Sequence, residues 1–243
     1  MSQSQVIAEL APHGVLRAAI NMGNFLLVTG KMPNGDPDGC SPDMARAIAA
    51  SLGVPVQFVP YAKPGELADD VDNDKWDIGN IGAEPARAEK IDFTAAYVEI
   101  EATYLVPAGS PITSIAQVDV KGNRIAVTAR SAYDLWLERN IHHATLVRGN
   151  SQAAVIEMFQ KEKMEALAGL RPGLIGDVEK MPGSRILDGQ FTAVQQAIGT
   201  AKKNAAGFAY LKKFVEDAKK SGAVAELIKK HGTVGRLSVA PLA

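Results

Sequence analysis

Trp76-Asp77-Ile78-Gly79-Asn80-Ile81-Gly82-Ala83-Glu84-Pro85-Ala86-Arg87-Ala88-Glu89-Lys90-Ile91-Asp92-Phe93-Thr94, continuing through Ala95-Ala96-Tyr97 into an apolar run that ends at Pro107, decides how the chain is read. Ile78 and Ile81 mark a short buried strand that ends in small residues. A helical turn follows, with Pro85 near its start and Arg87 inside, and then a second extended segment. Small residues where a strand meets a helix let a ligand come close to the backbone, so Gly82 and Asn80 are candidate contacts. An anion there meets free amide hydrogens and an arginine able to form two parallel hydrogen bonds. The competing reading makes Arg87 a solvated helix residue paired with Glu84 or Glu89.

The rest of the chain surrounds this stretch with alternating strands and helices. With 243 residues, 47% hydrophobic and 22% charged, it has the size of one large domain or two lobes of roughly 100 residues each. A net charge of -1 and the lack of any lysine/arginine block argue against nucleic acid as a partner. The one cysteine, Cys40, excludes an internal disulfide and says nothing about compartment; it reads as a small packed residue. No apolar stretch approaches the roughly 18 residues needed to cross a bilayer. Met1 to Leu10 lacks both a basic and an apolar region, so it does not read as a secretory signal.

Gly14 to Asn21 reads as the first strand, closing on Asn21-Met22-Gly23-Asn24-Phe25, a loop with two amides, a glycine and an aromatic. The asparagines either contact a ligand or satisfy turn backbone. Residues 29–38 read as an exposed hairpin-like excursion. Ser41 reads as the cap of a helix with Pro42 at its first position. Val54 to Pro60 is the next strand, with Tyr61 beyond it, and Pro64 to Asp74 is an amphipathic helix. This βαβ pattern predicts a mostly parallel sheet, in which ligands sit beyond the carboxyl ends of the strands. Asn21, Tyr61, Asn80 and Arg87 fall there. Ser131 with Asp134 three residues later resembles a capping box at the start of another helix. Gln195 and Gln196 are adjacent in an apolar strand and so point to opposite faces.

The run from Asp77 through Arg87 to Phe93-Thr94-Ala95-Ala96-Tyr97 resembles the central signature of the bacterial solute-binding proteins of family 3, the polar amino acid-type receptors of ABC importers. The resemblance extends from Val15 to about Gly232. It implies an α/β fold of two lobes, the type II periplasmic binding protein architecture, each lobe a mostly parallel sheet flanked by helices. On that basis residues 1–103 with 198–243 form lobe 1 and residues 104–197 form lobe 2, joined by two crossover strands. By the same resemblance Asn21, Asn24 and Phe25 form the first ligand loop, and Tyr61 lies over the ligand. Ser131 and Ala132 offer helix-start amides to a carboxylate, and one of the paired glutamines, Gln195, faces the cleft.

Three departures bear on the ligand. Ser41 stands where some receptors of basic amino acids carry a carboxylate. Arg130 replaces a usual glycine, either as a second anion-binding arginine or as a surface residue. Leu170, followed by Arg171, stands where these receptors present an aspartate to the ligand's ammonium group. An unpaired ammonium in a closed site is costly, so a carboxylate without the amine becomes a candidate beside an amino acid.

Nothing suggests a cofactor. His13, His142, His143 and His231 have no spacing suited to a metal, and neither a Gly-x-Ser-x-Gly elbow nor a phosphate loop occurs. The fold also includes cyclohexadienyl dehydratase-like enzymes that use a cleft carboxylate as general acid, for which Glu84, Asp134 and Asp77 are the available acids. The expectation is a non-enzymatic, monomeric receptor that captures a small anionic ligand, a carboxylate, by hinge closure and delivers it to the permease subunits of an ABC importer. The alternatives are such an enzyme, or a ligand sensor outside transport. The resemblance implies the periplasm; the missing signal leaves the cytoplasm open.

Overall fold

The computed structural model describes residues 2–243. Its contacts divide the chain into two compact units, one formed by residues up to 99 together with 195–243, the other by 100–194. The first unit opens with α1 (Gln3–Leu10), which the sequence reading did not anticipate; Ser2 caps it, its Oγ accepting from the Gln5 amide at 3.3 Å. There follow β1 (Leu16–Asn21), β2 (Gly30–Lys31), β3 (Pro37–Asp38), α2 (Cys40–Leu52) and β4 (Val56–Tyr61). Next come α3 (Pro64–Asp69) with a 3-10 turn at Asp70–Asp72, β5 (Ile78–Gly82), α4 (Pro85–Ala88), β6 (Ile91–Phe93) and β7 (Val98–Val106).

The chain passes into the second unit within β7. That unit contains β8 (Arg124–Thr128), α5 (Ala132–Asn140), β9 (Thr145–Gly149), α6 (Gln152–Lys161), β10 (Ala166–Leu170), α7 (Arg171–Val178) and β11 (Arg185–Ile186). The return is made within β12 (Thr192–Ala201), after which α8 (Ala205–Lys220), α9 (Ala223–Lys230) and β13 (Ser238–Val239) complete the first unit.

In the first unit β1 lies between β4 and β5, parallel to both, and β12 runs antiparallel to β5. The strand β4 is at the edge of this set, which accommodates Pro60, a residue with no amide to donate. In the second unit β8 lies parallel between β9 and β10, while β7 runs antiparallel to β10. Each unit is therefore a parallel core flanked by one antiparallel strand, and the molecule is α/β. Near the end of the chain Ser238 and Val239 pair with Glu99 and Val98.

Burial explains the strand sequences. On β5, Ile81 packs with Leu67, Val71, Trp76 and Ile91, and the Trp76 Nε1 donates to the Leu67 carbonyl at 3.0 Å. A side chain at Gly79 would meet Leu67 Cδ2 at 3.1 Å, so α3 closes on the sheet only over glycine. The second unit buries Leu105, Ala126, Val155, Phe159, Met164, Leu167 and Leu174 together. At about 25 cal/mol per Å2 of apolar area these side chains drive each unit's collapse.

One helix start differs from expectation. α2 begins at Cys40 with Gly39 as its cap, so Ser41 lies inside the first turn, where its Oγ is 2.7 Å from the buried Tyr97 hydroxyl. Gly39 adopts φ 147°, and a Cβ there would lie 2.2 Å from the Leu27 carbonyl oxygen. A glycine both turns the chain and admits the preceding loop. Gly39→Ala is expected to destabilise the protein by about 2–4 kcal/mol through strain and backbone displacement, measured by urea denaturation.

Candidate functional site

At the end of β5 the chain turns through Ala83 and Glu84 into the single-turn helix α4, with Pro85 at its first position. Arg87 is only 6% exposed, and its Nη1 donates to the Gly82 carbonyl at 2.7 Å. That contact folds the guanidinium back over the strand end and removes it from bulk water. A buried cation is expensive unless its donors are used, and the Gly82 carbonyl takes one of them. Glu84, the helix cap, is also buried.

Asn80 sits one turn of the pleat away. It is 1% exposed, and among the described residues neither its Nδ2 nor its Oδ1 has a hydrogen-bond partner. Gly79 and Ile81 face α3, so Asn80 faces the other side of the sheet, where its cross-strand neighbours are Ile20 and Ile198. Two isoleucines cannot satisfy a carboxamide. Leaving such a group desolvated and unpaired costs about 1–3 kcal/mol per atom group.

The other residues of the first unit are engaged locally. The Asn21 Oδ1 accepts from the Gly23 amide at 3.1 Å and the Asn24 Oδ1 from the Leu26 amide at 3.2 Å, so both carboxamides brace the loop after β1. Phe25 is 51% exposed on that loop. Asn21 and Tyr61 are register partners at the ends of β1 and β4. The Tyr61 hydroxyl donates to Asp70 Oδ2 at 2.9 Å; burial first, and then this bond, push its pKa upward. The Gln195 Nε2 donates to Glu99 Oε1 at 3.0 Å, while the neighbouring Gln196 is buried.

In the second unit Ser131 caps α5, its Oγ accepting from the Asp134 amide at 3.1 Å, and Ala132 is the first helical residue. The reciprocal half of the expected capping box is absent. Asp134 instead accepts from the Arg130 amide at 2.7 Å and from Arg148 Nε at 2.8 Å. Arg130 is exposed and holds φ 59°, a left-handed conformation that favours glycine. Arg171, at the start of α7, donates through Nε to Glu101 at 2.6 Å and through Nη2 to the carbonyls of Leu187 and Gly189. Asp77 is bonded by Arg17, Nη2 to Oδ1 at 2.8 Å, so both it and Asp134 are committed to protein cations.

One cluster escaped the sequence reading, because its members are far apart in the chain. Asp38, Asp43 and His231 each offer a ligand atom within 4.8 Å of the others. The histidine spacing gave no sign of this. Yet Asp43 already holds Lys230 Nζ at 2.7 Å, His231 Nε2 at 2.8 Å and Arg46 Nη1 at 2.8 Å. With its charge balanced by protein cations, the cluster acts as a clamp between α2 and the end of α9. Burial raises the Asp43 pKa, but the hydrogen bonds from Lys230, His231 and Arg46 outweigh it and hold the group below the usual carboxylate range.

This architecture is the type II periplasmic binding protein fold. The chain belongs to the bacterial extracellular solute-binding proteins, family 3, whose model matches residues 27–234. The L-cystine-binding protein TcyJ of Escherichia coli K12 is 24% identical over 242 residues, covering 96% of this chain and 87% of that protein. Among solved structures, a P235GK mutant of ArgBP from T. maritima superposes with a TM-score of 0.73 at 20% identity, covering 94% of this chain and 99% of the other. AncCDT-1, an ancestral amino acid-binding protein and precursor of cyclohexadienyl dehydratase, gives 0.74 at 20% identity over 92% and 97%. AbpA of Streptococcus pneumoniae, bound to L-arginine, gives 0.73 at 19% identity over 93% and 98%. No helix among the described residues is long and apolar enough to cross a membrane.

The Asp43 clamp has a pH signature. A carboxylate whose folded pKa is depressed contributes stability above its unfolded pKa of about 3.9 and loses it as pH falls through the folded value. Asp43→Asn is therefore expected to lower the thermal midpoint at about pH 7, with the difference from wild type shrinking below about pH 4. Parallel melts across that range check it.

Proposed function

We propose that this protein is the solute-binding receptor of an ABC importer and captures a small carboxylate, either an amino acid or an amine-free organic acid. The observation that carries the reading is the buried Arg87 guanidinium over the carbonyl of Gly82, in the segment that bears the family signature. The ligand's carboxylate would meet Arg87, and the family resemblance supports Ser131 and Ala132 as further contacts. Asn80 and Gly82 would line the same strand end. Asn21, Asn24, Phe25, Tyr61, Arg130, Arg171 and Gln195 are the further residues proposed around it. Removal of water on hinge closure would strengthen each charged hydrogen bond. The liganded form would then be recognised by membrane permease subunits in the periplasm, with the receptor acting as a monomer.

The named partners of the relatives, cystine and arginine, support amino acids as the first compounds to test. Leu170 supports including their amine-free counterparts, because it offers an ammonium group no countercharge. The dehydratase reading rests on the buried Glu84 and on the ancestry of one structural neighbour. Incubation with prephenate or arogenate separates it from binding, and a receptor leaves both unchanged.

Arg87→Ala is expected to weaken carboxylate binding at least a hundredfold, about 3 kcal/mol, consistent with loss of a desolvated charged pair. Titration calorimetry on wild type and variant, with circular dichroism to verify the fold, tests this. Arg87→Lys keeps the charge but loses the planar fork and is expected to bind weakly rather than not at all. Undiminished affinity in Arg87→Ala would refute the assignment.

A further inference from the structure

We propose that residues 237–241 form a strap that pins β7 at Tyr97, Val98 and Glu99, and so fixes where that strand begins to bend when the two units move. The inference rests on the hinge-closure reading above and adds the element that sets its pivot.

The division of the chain falls between Glu99 and Ile100 on the way out, and between Val194 and Gln195 on the way back. The strap meets β7 at the last residues before that point. Ser238 and Val239 pair antiparallel with Glu99 and Val98, and the Ala240 amide donates to the Tyr97 carbonyl at 3.1 Å. Two of these β7 residues also hold the returning strand. The Tyr97 amide donates to the Gln196 carbonyl at 2.9 Å, and Glu99 Oε1 accepts from Gln195 Nε2 at 3.0 Å. Tyr97 is fully buried, with its hydroxyl 2.7 Å from Ser41 Oγ on α2.

A strand of two residues has little hold of its own, and this one is anchored from behind. Leu237 and Ala240 are buried, and the Pro241 carbonyl accepts from Lys219 Nζ at 2.7 Å. The Lys219 side chain is 1% exposed, and its ammonium also lies 2.6 Å from Glu216 Oε1. Glu216 Oε2 in turn accepts from the Ala243 amide at 3.2 Å. Burying an ammonium is costly unless its donors are met, and here one of them is used on the strap's backbone. Hinges place the change in φ and ψ on a few residues at the ends of elements. On β7, pairing with β13 of the first unit ends at Glu99, and pairing with β10 of the second begins at Ala102. Ile100 and Glu101 lie between them, so a strapped strand turns there, whereas a released one also gives way at 97–99.

The test uses pulsed electron paramagnetic resonance on ligand-free protein. Spin labels are carried by Lys63→Cys in the first unit and Lys161→Cys in the second, both exposed positions, in a Cys40→Ala background. Deleting residues 237–243 is expected to broaden the distance distribution at least about 1.5-fold. Hydrogen exchange is expected to rise at residues 97–101 while β1, β5 and β10 keep their protection. An unchanged width, or exchange that rises equally throughout the first unit, would overturn the strap. If circular dichroism shows that the deletion does not fold, Lys219→Met with Glu216→Gln decides. That pair removes the polar anchor without touching β7 and is expected to broaden the distribution in the same direction; an unchanged width there overturns the proposal. Adding amino acids and their amine-free counterparts to wild type separates the two readings. A distribution that no compound shifts brings down hinge capture and the strap's part in it, whereas an unchanged width on deletion brings down the strap alone.

Discussion

The hydrogen bond from Arg87 to the carbonyl of Gly82 ties a cation to the last residue of a central strand. Everything about the segment serves that closure. Gly79 lets α3 seat on the sheet, Pro85 starts the turn of helix at a position where its missing amide is harmless, and the Glu84 carbonyl accepts from the Arg87 amide at 2.9 Å.

Around that closure the first unit divides its polar groups into two kinds. Some are spent on architecture: Asp77 on Arg17, Asp43 on Lys230, His231 and Arg46, Tyr61 on Asp70. Asn80 alone among the sequence-derived candidates is deeply buried with both polar atoms unmatched among the described residues. In the second unit the left-handed Arg130 marks a similar tension: a bulky residue stands where the backbone suits glycine, held by its amide's bond to Asp134.

The fold was legible in the sequence where local patterns carry it. Alternating apolar residues in β1, the Pro-opened helices and the Asp77-to-Tyr97 signature all lie within short windows. Partnerships across long separations were not legible. His231 and Asp43 are 188 residues apart, and nothing in either neighbourhood anticipates that they meet. Arg171 reads as an available cation beside Leu170, yet Glu101, on a strand seventy residues earlier, takes its Nε. The cap of α2 was misplaced because Ser41 has the right chemistry for a cap, while the backbone demand that decides the matter falls two residues earlier, on Gly39. Of the candidate site, the sequence supplied which residues stand at strand ends; the commitments of their side chains needed coordinates.

The first unit is stitched from both ends of the chain, whereas the second is one uninterrupted run. α1 packs on α8, where the Glu9 carboxylate accepts from the Gly207 amide at 2.8 Å, a contact spanning 198 residues. During synthesis the inner unit has all its strands available as soon as residue 194 emerges. The outer one must wait, with α1, β1, β4 and β5 unpartnered by β12 and α8 until residues 192–220 have been delivered. Domains tend to fold as units in the order they appear. Here the continuous middle segment has all its residues before the first unit does, and the amino-terminal strands wait longest for their last partners.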